Sequence, residues 1–208
     1  STIRLHGLDG RYTQTLVDGI PAFGGLNMNF SVVQLPPLNL QQLEIIKGSS
    51  AGLHSDALGG IVNFITRIPH RESPEITSVI SYSSLDAIDV AGFYGQRFGP
   101  AGFSLHTTYN NSPRRDIDGD GFADIPLQRR FNVNSKLVYE LSDRARLALA
   151  GNVTSEDRFG GQMSAVEDFT HGDAAYYSTA LVTRRADGTG SLSVKLDEHS
   201  SISASVAY

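Results

Sequence analysis

The residues best suited to chemistry form an acidic segment, 116–124, with the sequence DIDGDGFAD. Aspartates at alternate positions direct their carboxylates towards one centre, and Gly121 permits the sharp turn that gathers them. The predicted Ca²⁺ ligands are the side chains of Asp116, Asp118, Asp120 and Asp124 and the backbone carbonyl of Phe122. The twelfth position is Leu127 and not the bidentate glutamate of an EF-hand. The alternative is an acidic surface loop built from Asx turns.

The other residue types give no argument for catalysis. The six histidines are dispersed, and none has a partner at the i, i+2 or i, i+4 spacing of a metal site. The glycine-rich stretch 48–60 lacks the Lys-Ser/Thr ending of a phosphate-binding loop. No Ser, His and Asp set has a spacing that defines a nucleophile. We therefore predict that the protein is not an enzyme.

Composition excludes several other classes. The 208 residues carry a net charge of −5 with scattered basic residues, which argues against nucleic-acid binding. Cysteine is absent, so no disulfide or thiolate metal site can form. The apolar stretches are too short for a transmembrane helix. Strand-like sequence begins at once, without a signal peptide, and we expect the chain to be a piece of a longer precursor.

Long stretches of alternating apolar and polar residues begin at about Ser73. Between Phe131 and Leu141, for example, apolar side chains share one face, and Asn132, Asn134 and Lys136 share the other. The pattern predicts strands at 75–84, 88–98, 103–111, 128–141, 145–157, 178–196 and 201–208. Within the sixth of these, Asp187-Gly188 could instead form a hairpin turn.

Two architectures alternate in this way, a soluble antiparallel sheet with one wet face and a transmembrane barrel. Several strands reach the roughly 9 to 11 residues that cross a bilayer when tilted. Short connections at 99–102, 142–144 and 197–200 alternate with long ones at 112–127 and 158–176, a polarity typical of outer-membrane barrels. The polarity favours the barrel. These seven strands cannot close a large barrel, so we expect an open edge at Tyr208.

The N-terminal third has a different character. Asp18-Gly19 lies between apolar runs and predicts a tight hairpin, because glycine accepts a positive φ. Further along, the segment 36–67 predicts two short strands, 43–46 and 61–66, joined by a glycine-rich link. A proline at position 69 then separates this region from the alternating strands.

The order of these motifs resembles the plug domain of TonB-dependent outer-membrane receptors. The hairpin matches the family pattern at Leu16, Asp18, Gly19 and Pro21. The later segment matches it at Glu44, Ile45, Lys47, Gly48, Leu53, Ala57, Gly59, Gly60, Val62, Asn63, Ile65 and Thr66. The departures lie between the two halves of that segment, at Ala51, His54 and Ser55.

The resemblance implies a mainly β protein in the outer membrane of a Gram-negative bacterium. Its expected organisation is a plug at 1–68, a linker at 69–72 and the first antiparallel barrel strands at 73–208. It implies plug-gated active uptake of a scarce solute such as an iron–siderophore complex, haem or cobalamin. A periplasmic TonB-type transducer and membrane lipid are the implied partners, and His6, Phe23, Asn27 and Asn29 are the candidate solute contacts.

Two other functions stay open on the sequence alone. A passive porin or an adhesin would use a barrel without plug-gated transport. A soluble calcium-binding β domain would use the acidic segment and keep one face of its sheet wet.

Overall fold

A computed structural model describes residues 7, 12–21, 37–47, 59–69, 72–170, 175–197 and 200–208. The chain divides into two compact units, Ser1–Ile68 and Pro69–Tyr208. Over the described ranges, no helix is both long and apolar enough to cross a membrane.

The first unit contains a four-stranded sheet. Its strands are β1 (Thr13–Val17), β2 (Ile20–Pro21), β3 (Leu40–Lys47) and β4 (Gly60–Thr66), and a 3₁₀ turn at Pro37–Asn39 leads into β3. The order is β2-β1-β4-β3. Strand β4 runs parallel to β1 and antiparallel to β3, and β1 and β2 form the predicted Asp18-Gly19 hairpin.

The core of this sheet is built on its central strand. Ile61 and Val62 in β4 are almost fully buried, and Ile61 packs against Leu16 of β1. A strand that is buried on both faces has a near-continuous apolar sequence, and the consecutive buried residues from Gly60 to Asn63 in β4 fit this. Strand β3 is longer than the predicted 43–46, because polar Gln42 continues the ladder opposite Ile65.

The second unit is a seven-stranded antiparallel meander in which every strand pairs with its neighbour in sequence. Its strands are β5 (Glu75–Tyr82), β6 (Ile88–Phe98), β7 (Ala101–Ser112), β8 (Leu127–Ser142), β9 (Ala145–Gly161), β10 (Ser178–Lys195) and β11 (Ser201–Ala207). All seven predicted strands are present.

The connections have the predicted polarity. Residues 99–100, 143–144 and 196–200 link strands at one end of the meander. Residues 83–87, 113–126 and 162–177 link them at the other end, which we call the long-connection end. Strand β10 is continuous, because Asp187 pairs with Asn152 and Gly188 with Gly151 inside the ladder. The alternative hairpin at these two residues does not form.

The two faces of the meander differ in polarity, as the alternation predicts. Directly paired residues of an antiparallel ladder point to the same side. Phe131, Val153 and Leu149 belong to a face whose large apolar side chains are about half exposed. His106, Asn132 and Glu156 belong to the opposite face and are buried. An exposed apolar band of this kind suits contact with lipid.

Candidate functional site

The Asp18-Gly19 turn is the first part of the site. Both residues have positive φ, 51° and 80°, the backbone of a type I′ hairpin turn. The Asp18 carboxylate accepts hydrogen bonds from the backbone N–H of Thr66, at 2.9 Å, and from its hydroxyl, at 2.7 Å. The turn is thereby fixed to the end of β4.

Asn63 links this turn to the edge strand β3. Its Oδ1 accepts a hydrogen bond from the Gly19 N–H, and its Nδ2 donates to Glu44 Oε2, both at 3.0 Å. Gln42 Nε2 donates to the second oxygen of Glu44 at 3.3 Å. Asn63 is buried, so these bonds satisfy groups that would otherwise be costly to desolvate. We call Asp18, Gly19, Glu44, Asn63 and Thr66 the motif network.

The motif network explains why several predicted residues occur together. Four of its five members were predicted as plug-motif positions, and Thr66 belongs to the matched pattern. Of the other motif residues, Lys47 ends β3 opposite Gly60, whose φ is 122°. The Gly59 N–H donates to the Tyr12 carbonyl at 2.7 Å. The hydrogen bonds of the network hold the β1–β2 turn against β4 and connect β4 to β3.

Seven predicted positions lie outside the described residues. They are Gly48, Leu53 and Ala57 of the matched pattern and the candidate solute contacts His6, Phe23, Asn27 and Asn29.

Arg130 and Glu156 form an ion pair on the polar face of the meander. Arg130 Nη2 lies 2.9 Å from Glu156 Oε1, and both side chains are almost fully buried, at 6% and 1% exposure. The same oxygen contacts Arg158. A buried carboxylate lies here between two guanidinium groups. Removing one charge of such a set leaves buried charge uncompensated, which strongly destabilises the fold.

Carboxamides extend this polar surface across β8, β9 and β10. Asn132 Nδ2 donates to Asn152 Oδ1 at 2.8 Å and to Thr154 Oγ1 at 2.7 Å. Asn152 in turn donates to Asp187 at 2.9 Å, and Asp187 pairs with Arg185 at 2.6 Å. The sequence indicated a polar face here, but not these contacts, which depend on strand register. We call the residues 130, 132, 152, 154, 156, 158, 185 and 187 the polar-face network.

His106 also lies on the polar face and is 1% exposed. Within the described part of the chain, neither of its ring nitrogens has a hydrogen-bond partner. The sequence had indicated only a dispersed histidine.

The acidic segment lies in the connection between β7 and β8. Carboxylate oxygens of Asp116, Asp118 and Asp120 come within 4.8 Å of one another. The same carboxylates also accept backbone N–H bonds, for example Asp116 from Gly119 at 2.7 Å and from Gly121 at 2.8 Å. Asp124 accepts from the Ile117 N–H at 2.8 Å. Calcium ligation and Asx turns use the same oxygens, so the calcium site stays a prediction.

Comparison with known proteins agrees with this arrangement. Residues 1–61 match the family model described as the TonB-dependent receptor plug domain. The iron-regulated outer membrane virulence protein of Vibrio cholerae is 29% identical over 173 residues, 75% of this chain and 26% of that protein. The vitamin B12 transporter BtuB of Vibrio vulnificus is 24% identical over 211 residues, 97% of this chain and 32% of that protein.

A solved structure shows the same fold. A variant of the ferric enterobactin receptor PfeA of Pseudomonas aeruginosa, in complex with enterobactin, matches with a TM-score of 0.68 at 16% identity. The match covers 98% of this chain and 34% of that one. The chain spans about a quarter to a third of the length of the curated relatives it matches.

A small motif-rich β domain followed by a meander with one apolar and one polar face is typical of a plug and barrel strands of an outer-membrane receptor. By sequence, the first 61 residues are similar to the plug domain of TonB-dependent receptors, and by fold the chain is similar to a solved receptor over nearly its whole length. The resemblance, the fold class and the outer-membrane location predicted from the sequence agree with these findings.

Proposed function

We propose that the full-length protein takes up a scarce solute across the outer membrane by plug-gated, energy-coupled transport. The observation that carries this proposal is the plug-domain match over residues 1–61. The motif network, which joins three strands of the plug sheet, supports it. In this proposal residues 1–68 are the plug, 69–72 the linker and 73–208 barrel strands.

The proposed solute is an iron–siderophore complex, haem or a cobalamin-type compound. The relatives named above support this range, since one is iron-regulated, one transports vitamin B12 and one binds enterobactin. We assign first contact to His6, Phe23, Asn27 and Asn29.

The energetic requirement concerns two states of the plug, one that blocks the barrel and one that releases the solute. A solute changes the balance between two plug states only by the difference in its affinity for them. A periplasmic TonB-type transducer is the proposed source of the work that completes the change. The hydrogen bonds of the motif network must then be either kept through that change or broken and remade.

The test is an uptake assay on cells that express the full-length gene. The probe panel consists of ⁵⁵Fe-loaded enterobactin, ⁵⁵Fe-haem and ⁵⁷Co-labelled vitamin B12, each measured with and without an uncoupler of the proton-motive force. We expect at least one probe to accumulate in energised cells and not in uncoupled cells. Cells with an empty vector are the control.

The rival function is a passive porin or an adhesin. A porin would admit small probes at the same rate in energised and uncoupled cells. An adhesin would bind a probe at the surface without moving it into the periplasm. Either result overturns the proposed transport.

A further inference from the structure

The two long connections of the meander are joined by backbone hydrogen bonds. The Ala123 N–H donates to the Gly161 carbonyl at 2.9 Å, and the Met163 N–H donates to the Gly121 carbonyl at 2.8 Å. Between these bonds, Phe122 forms an antiparallel bridge with Gln162. We call residues 113–126, 162–170 and 175–177 the outer cap. Its two halves share a short piece of β ladder.

Arg114 joins the halves of the outer cap through its side chain. Its guanidinium lies 5.0 Å from the centre of the Phe159 ring, within cation–π range. Its Nη1 donates to the Gln162 carbonyl at 3.3 Å, and its Nη2 lies 3.9 Å from Glu167. The Arg114 side chain is only 13% exposed. These three contacts all reach β9 or the connection that follows it.

A small apolar cluster lies under the same contacts. Phe159 is fully buried and packs with Leu127 and Ala165. Phe169 meets the Phe159 ring edge-on at 5.8 Å, a favourable aromatic geometry. Connections usually lie on the surface and lack a core of their own. Here the second connection supplies Ala165 and Phe169, which pack on Leu127 and Phe159 at the ends of β8 and β9.

The second connection is closed at its base. The Gln162 N–H donates to the Tyr177 carbonyl, and the Tyr177 N–H donates back to Gln162 Oε1, both at 2.9 Å. Gly161 has a φ of 107°, and a Cβ there would lie 2.4 Å from the Tyr177 carbonyl oxygen. Only glycine therefore permits this close approach.

The short connection 83–87 is tied to the outer cap as well. Arg115 forms an ion pair with Asp86, and its Nε donates to the Leu85 carbonyl at 3.4 Å. The adjacent arginines 114 and 115 thus reach in opposite directions along the long-connection end of the sheet.

We propose that the outer cap is one cooperatively folded unit, with Arg114 as its positioning residue. A body already assembled loses less conformational entropy on meeting a ligand than two independent loops would. A contact that stabilises either connection then also stabilises the other. The coupling stands on these contacts alone, and its use in solute capture rests on the proposed transport.

The test is amide hydrogen exchange, followed by mass spectrometry, on the full-length protein in detergent. We expect Arg114→Met to accelerate exchange in peptides covering 114–125 and 162–169 together, each by roughly tenfold, because a charge-assisted hydrogen bond is lost. Arg114→Lys should restore part of the protection in both peptides. Arg144→Met, at an exposed residue of a short connection, is the matched control and should change neither.

Faster exchange in 114–125 alone would overturn the proposal, since the connections would then be independent. If Arg114→Met does not fold, Glu167→Gln is a milder variant, because it leaves Arg114 in place. It weakens the ion pairs of Glu167 with Arg114, at 3.9 Å, and with Arg129, at 3.6 Å. It should accelerate both peptides by a smaller factor, and a change in one peptide alone would again overturn the coupling. Failure of the uptake assay with coupled exchange intact would overturn transport and leave the cooperatively folded cap standing.

Discussion

The plug sheet and the barrel meander hold their polar side chains in different ways. In the plug, Asp18 and Asn63 bond to backbone N–H groups at a turn and at a strand end. In the meander, Asn132 and Glu156 bond to side chains on neighbouring strands. A turn motif can therefore be recognised in a few consecutive residues, whereas the polar-face network is defined only by register. Damage to the plug should be local, and damage to the meander should cross several strands.

The largest effect should come from the buried ion pair of the meander. Glu156→Leu leaves Arg130 and Arg158 without their shared carboxylate, and we expect a loss of about 3–5 kcal/mol in the free energy of unfolding. Urea titration of the full-length protein in detergent, followed by circular dichroism, measures it. The matched control is Glu140→Leu, because Glu140 pairs with a half-exposed Arg146 and should cost less than about 1 kcal/mol. Equal losses for the two variants would contradict the claim that the buried carboxylate of Glu156 is more important for stability than an exposed ion pair.

The apolar face of the meander can be tested by adding a charge. Val153 is 51% exposed on that face, and Val153→Arg should cost about 2–4 kcal/mol if the face meets the middle of a bilayer. Thr189→Arg, on the polar face, is the control and should cost much less. The midpoint of urea unfolding in lipid vesicles gives both values. A reversed order would mean that the two faces are wrongly assigned.

A smaller and more local effect is expected in the plug. Asn63→Ala removes the acceptor of the Gly19 N–H and the donor to Glu44, at a cost of about 1–3 kcal/mol. Hydrogen exchange at the Gly19 amide of the full-length protein should accelerate, while exchange in the barrel strands stays unchanged. Gln42→Ala, at an exposed residue outside the network that donates to Glu44, should change the free energy of unfolding by less than about 0.5 kcal/mol. Accelerated exchange throughout both units would remove the contrast between local and distributed damage.

The smallest effect is expected at the acidic segment. If Ca²⁺ binds there, millimolar Ca²⁺ should slow amide exchange across 117–124, because a ligand stabilises the state that binds it. Asp118→Asn should abolish that slowing, and Asp143→Asn in a short connection should not. Exchange that does not respond to Ca²⁺ in the unmodified protein would identify the segment as an Asx-turn loop.

Local signals predicted the turn and the strands. Asp18-Gly19 carries its own conformational preference, and the alternation around Phe131 depends only on the two-residue repeat of a strand. The contacts of Asn132 with Asn152 and of Asn152 with Asp187 could not be predicted, because they join different strands and a slip of one residue in the register would reverse the faces. The Arg114 contacts were hidden for the same reason.

Plug gating of an energy-coupled uptake is tested most directly by deleting residues 1–68 from the full-length protein and leaving any preceding sequence in place. Uptake of the probe panel is measured in energised and uncoupled cells, with outer-membrane fractionation to confirm that the variant assembles. Energy-dependent accumulation should be lost on deletion. Uptake that is unchanged in both amount and energy dependence would contradict it.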